Sequence, residues 1–100
     1  MILHINTKDQ KVIKVSLKHK GKVISELSEE NQYGSQVLLP LIIKLLRTNN
    51  SELQTLKGIK VETGPGSFTG IRVGVSVANA LGYSLNIPVS GKKRESDLVY

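Results

Sequence analysis

One hundred residues without a cysteine suffice for one domain with a modest core, and exclude disulfide scaffolds and thiolate metal sites. A net charge of +6 raises the weight of an acidic partner, either RNA or an acidic protein surface. Hydrophobic content of 39% and charged content of 22% are ordinary for a soluble globular chain. The longest apolar run, residues 37–46, is broken by Pro40 and Lys44 and is too short to span a bilayer. With no basic–apolar–small pattern at the N-terminus, a cytoplasmic chain with no membrane partner is expected.

Residues 2–6 alternate as a strand, and residues 11–18 alternate strictly, with Ile13, Val15 and Leu17 set against Lys14, Ser16 and Lys18. Lys20-Gly21 reads as a two-residue turn into a third strand over 22–28, followed by a polar connection over 29–34. Lys8, Lys11, Lys14, Lys18, Lys20 and Lys22 are strung along this hairpin, where they serve equally well as a solvated, aggregation-resistant edge. The four aromatics, Tyr33, Phe68, Tyr83 and Tyr100, form no stacking platform for single-stranded nucleic acid.

Residues 35–48 read as a helix with Ser35 as N-cap and Pro40 inside it. Its eight large apolar residues cover an arc of roughly 240°, far more than one buried face needs. That width means neighbours on several sides within the fold, or a second protein. A short fourth strand over 59–61 follows Lys57-Gly58, and a second helix spans about 69–84. In this helix Gly70, Gly74, Ala78 and Gly82 recur every fourth position as a small-residue stripe, which suits close approach of another backbone. That backbone is either the sheet or a second helix; for Gly74 a partner's helix is expected, with Val73, Val77 and Leu81 offering the better-filled face to the sheet. Residues 87–90 make a fifth strand. The order β-β-β-α-β-α-β gives an α/β fold with a mixed five-stranded sheet, ordered third, second, first, fourth, fifth.

Between the fourth strand and the second helix runs Gly64-Pro65-Gly66-Ser67-Phe68-Thr69-Gly70-Ile71-Arg72-Val73-Gly74. Gly64, Pro65 and Gly66 suit a tight turn, and Ser67 or Thr69 can cap the helix. The loop lacks the Lys-Ser/Thr of a Walker A motif, and its glycines are spaced G-x-G-x-x-x-G rather than as a dinucleotide fingerprint. As a phosphate site it is a weak signal. Taken whole, with Ala78, Ala80, Leu81 and Ile87-Pro88-Val89 downstream, the stretch closely resembles the bacterial TsaB (YeaZ) family. Ile2 to Thr7 and Ser35 to Pro40 resemble that family's first strand and first helix.

The resemblance implies the ribonuclease-H-like, actin-like fold, present here as a single domain over 1–100 without the family's second domain. It implies a non-catalytic subunit of the machinery that makes threonylcarbamoyladenosine in tRNA, docked on a catalytic subunit, TsaD, through the two helices. A TsaE-like ATPase is expected in the complex and tRNA contact is expected to be indirect or weak, while the wide apolar arcs of the two helices predict a homodimer when the chain is alone. The expected interface is Leu38, Leu39, Ile42, Ile43, Leu46, Phe68, Gly70, Ile71, Gly74, Val75 and Ala78, and residues 64–70 serve as a structural loop.

No enzyme and no cofactor are expected. An actin-like ATPase or related nuclease needs a metal-binding carboxylate at the end of the first strand, and Asn6 stands there, where the TsaB pattern has Asp. Gly34 stands where that pattern has a histidine. Glu62 is the only acid placed near the loop and reads as solvated, His4 as a packed sheet residue and His19 as part of a turn. The alternatives are a minimal nucleotide-binding or metal-dependent hydrolase using the loop at 64–70, or a basic RNA-binding module.

Overall fold

Alternating strands and two helices appear where the sequence periodicity puts them. The computed structural model describes residues 1–9, 11–30, 35–63, 66 and 68–90. The elements are β1 (Ile2–Asn6), β2 (Val12–His19), β3 (Lys22–Glu30), α1 (Ser35–Thr48), a 3₁₀ turn at Leu53–Thr55, β4 (Gly58–Val61), α2 (Phe68–Leu85) and β5 (Val89–Ser90). The sheet runs β3-β2-β1-β4-β5. β1, β2 and β3 pair antiparallel, whereas β4 lies parallel to β1 and to β5, with α1 and α2 supplying the connections.

Four strands make the body of this mixed sheet, and β5 adds only a two-residue pairing at its edge. The sequence predicts a longer strand over 87–90, but the residues before Val89 have other work. Asn86 takes φ 56° and ends α2. The Ile87 N–H donates to the Gly82 carbonyl at 3.0 Å, and Pro88 has no N–H to give a ladder. α1 ends the same way, with Asn50 at φ 53° and the Ser51 N–H donating to the Leu46 carbonyl at 2.8 Å. Asparagine tolerates this left-handed conformation better than most residues do, so both helix ends are written locally in the chain.

The β2–β3 hairpin closes on Lys20 (φ 53°) and Gly21 (φ 81°), the two positive angles of a type I′ turn. Further along, Leu17 pairs with Ser25 but Lys18 pairs with Val23, so Ile24 is an extra residue on the edge strand. Such a bulge twists an edge away from further pairing.

The core lies on one face of the sheet. Leu3, Ile5 and Thr7 of the β1 segment, Ile13, Val15 and Leu17 of β2, and Ile59 and Val61 of β4 are buried. Above them, α1 packs on β2 and β3, α2 packs on β1, β4 and β5, and the helices touch each other. Leu38, Leu41, Ile42, Leu45 and Leu46 of α1 meet Ile71, Val75 and Ala78 of α2 in one cluster.

Candidate functional site

Two regions carry the residues that the sequence singles out. The first lies where β1 and β4 end and α2 begins. The Thr7 hydroxyl, fully buried, donates to the Gly70 carbonyl in the first turn of α2. Gly66 presses on the preceding segment, where an added Cβ would stand 2.5 Å from the Lys8 Cβ and 2.7 Å from the Lys8 carbonyl oxygen. Gly66 therefore lies close against the segment that follows β1, in keeping with a structural role. Gly64, Pro65 and Ser67 lie outside the described residues, as do the side chains of Phe68 and Thr69.

At the same end, the Asn6 side-chain oxygen accepts the Lys8 N–H at 3.2 Å, and the Asp9 carboxylate accepts the Lys11 N–H at 2.8 Å. Asn6 thus shapes the turn. Glu62 differs from the expectation of a solvated acid. Its side chain is 15% exposed, with one oxygen 2.8 Å from His4 Nε2 and the other 3.6 Å from Lys8 Nζ. The parallel register explains this pairing. His4 lies opposite Lys60, so Glu62, two residues on, projects from the same face as His4. That signal is a matter of strand pairing and cannot be read from either segment alone. Among the described residues, no three His, Cys, Asp or Glu side chains gather as a metal site would require.

The second region is the helix pair, and here the structure corrects the expected interface. Leu38, Ile42, Leu46, Ile71, Val75 and Ala78 are buried in the chain's own core. Gly70 and Gly74 are buried as well. The small-residue stripe of α2 faces the sheet. An added Cβ at Gly74 would collide with the Thr7 hydroxyl oxygen and lie 3.5 Å from Ile5 Cγ2, and one at Gly82 would collide with Val89. Val73, Val77 and Leu81, expected on the sheet side, are only partly buried. The wide apolar arc of α1 is largely filled by the sheet below and α2 beside it.

What faces outward is a different set. On α1 it is Leu39, 43% exposed, with exposed Pro40, half-buried Ile43 and exposed Lys44. On α2 it is Arg72, Ser76, Ala80 and Tyr83, and Tyr83 is 92% exposed. Of the expected interface residues, only Leu39 and Ile43 keep solvent-facing surface among those whose side chains are described.

Residues 11–92 match the family described as TsaD: tRNA N6-adenosine threonylcarbamoyltransferase. The chain is 39% identical over 74 residues to the tRNA threonylcarbamoyladenosine biosynthesis protein TsaB of Buchnera aphidicola subsp. Schizaphis graminum (strain Sg), covering 73% of this chain and 35% of that protein. It is 36% identical over 90 residues to TsaB of Bacillus subtilis (strain 168), covering 89% and 39%. The solved structure of YeaZ from Pseudomonas aeruginosa superposes with a TM-score of 0.80 at 30% identity, over 90% of this chain and 43% of that one. The chain belongs to the TsaB (YeaZ) family. Its fold is accordingly the actin-like α/β fold that TsaB shares with TsaD. It spans between 35% and 39% of the length of these two TsaB relatives. Among the described residues, no helix is long and apolar enough to cross a membrane.

Proposed function

We propose that this TsaB-family chain is a non-catalytic docking subunit of the tRNA threonylcarbamoyladenosine machinery, held to a TsaD-like catalytic subunit by the outward faces of α1 and α2. One observation carries the reading. Two neighbouring helices, with their core-facing sides already filled, still present Leu39, Ile43, Ala80 and a nearly bare Tyr83 to solvent. Exposed Tyr and Leu flanked by small and basic residues form the kind of surface that becomes the centre of a protein interface. The small side chains of Ser76 and Ala80 let a partner helix come close to α2.

The strand-end chemistry supports a non-catalytic role. The position where an actin-like enzyme keeps its metal carboxylate is an amide engaged with its own turn. Of the acids at this end, Glu62 is tied to His4 and Lys8, and Asp9 accepts the Lys11 N–H in the turn. In this reading the same helix faces mediate a homodimer when the TsaD-like subunit is absent, and a TsaE-like ATPase joins the assembled complex. The chain itself holds no cofactor and works in the cytoplasm.

Co-expression with a TsaD-like subunit tests the proposal. A tagged chain is expected to bring that subunit down as an equimolar complex through size-exclusion chromatography. Separate elution of the two at micromolar concentration would overturn it.

A further inference from the structure

The lysines that look evenly strung along the sequence are not evenly placed in the fold. Lys20 occupies the hairpin tip, with Lys22 next to it, paired with His19. Lys18 lies opposite Ile2 of β1, Ile2 lies opposite Gly58 of β4, and the Lys57 N–H donates to the Met1 carbonyl at 2.8 Å. Strand pairing thus brings Lys22, Lys20, Lys18 and Lys57 to one end of the sheet, across β3, β2, β1 and β4. Three strand spacings make this a row of roughly 14 Å. Lys20, Lys22 and Lys57 are exposed and Lys18 is half-buried.

The acids lie mostly elsewhere. Asp9, Glu29, Glu30 and Glu62 sit at the opposite end, around the exit of β1 and the loop before α2, Glu26 lies mid-strand opposite Ser16, and Glu52, in the connection from α1 to β4, is the described acid on the lysine side. At that opposite end Lys8 is ion-paired with Glu62, and Lys11 follows Asp9 in the same turn. The cationic row therefore is not an artefact of the net charge. It is a segregated field, presented partly on a two-residue I′ turn whose fixed geometry leaves little backbone entropy to lose on binding.

We propose that this row, formed by Lys18, Lys20, Lys22 and Lys57, is a phosphate-backbone contact surface for RNA. Choosing RNA as the polyanion rests on the tRNA-modification reading above, whereas the charge segregation stands without it. Lysine ammonium groups suit phosphates as mobile point charges and do not read base edges, so the contact positions the RNA without selecting its sequence. With no aromatic in the row, binding is electrostatic and falls steeply with salt. The surface lies at the far end of the sheet from the loop preceding α2, and none of its residues belongs to the outward helix faces.

The test uses the full chain with an unmodified tRNA transcript as probe, measured across a salt series. The variant Lys20→Gln/Lys22→Gln/Lys57→Gln is expected to weaken binding about tenfold at 100 mM salt and to reduce the log–log salt slope by about 2 to 3. The control Lys11→Gln/Lys14→Gln/Lys60→Gln, with the same loss of charge at exposed positions outside the row and the helix faces, is expected to change affinity less than about twofold. Equal losses from both triple variants would reduce the effect to net charge and overturn the proposal. So would absence of RNA binding at 50 mM salt, or stronger binding to polyglutamate or to phosphatidylglycerol vesicles than to the transcript. Capture of a TsaD-like subunit is measured separately on helix-face variants, so either reading can fail while the other stands.

Discussion

Gly74→Leu is expected to destabilise the fold severely while acting on docking only through that loss. Even a single methyl at Gly74 would collide with the Thr7 hydroxyl, which is fully buried and donates to the Gly70 carbonyl one turn earlier in the same helix. Leucine must therefore lift α2 from β1 or rotate Thr7 out of its hydrogen bond. Overpacking typically costs about 1–3 kcal/mol, and the lost buried hydrogen bond about 1 more. The better helix propensity of leucine returns under about 1 kcal/mol. The net expectation is roughly 2 kcal/mol, or about 8–16 °C in Tm for a domain of this size. Thermal denaturation followed by circular dichroism measures it. A Gly74→Leu protein that melts with wild type yet no longer binds a TsaD-like subunit would return the stripe to the interface.

The opposite behaviour is expected on the outward faces. Leu39 and Ala80 are both exposed, so Leu39→Glu combined with Ala80→Arg should change stability by less than about 1 kcal/mol. Charges placed at the centre of an apolar contact are desolvated without partners, and interface centres are where single residues carry 2 kcal/mol or more. The double variant should therefore weaken binding to a TsaD-like subunit by about 100-fold or more. Titration calorimetry alongside a melting curve separates this from unfolding. Wild-type affinity in the double variant would place the docking surface elsewhere.

These two expectations mark where the sequence is informative and where it falls silent. The strict alternation of residues 11–18 and the Lys20-Gly21 turn are local signals, and β2 and the hairpin appear where they point. The ends of α1 and α2 are local too, because Asn50 and Asn86 each supply the positive φ that stops a helix. The proposed docking surface is not local. A wide apolar arc states how much of α1 must be covered but not by what, and the structure covers most of it with β2, β3 and α2. A glycine stripe likewise states that a backbone comes close. Only the placement of Thr7 and Val89 shows that this backbone is the sheet. The His4–Glu62 pair and the lysine row share the same reason for being hidden, since both depend on β4 lying parallel to β1.

The chain's lack of cysteine offers a direct test of which surface docks. Single cysteines introduced at Leu39, Ala80 and Gln54 can be labelled with a maleimide in the free chain and in its complex with a TsaD-like subunit. Gln54 is an exposed position in the 3₁₀ turn and belongs to neither helix. Labelling at positions 39 and 80 is predicted to slow at least tenfold in the complex, while position 54 keeps its free rate. Unchanged labelling at 39 and 80 in a stable complex would contradict docking through the outward faces of α1 and α2.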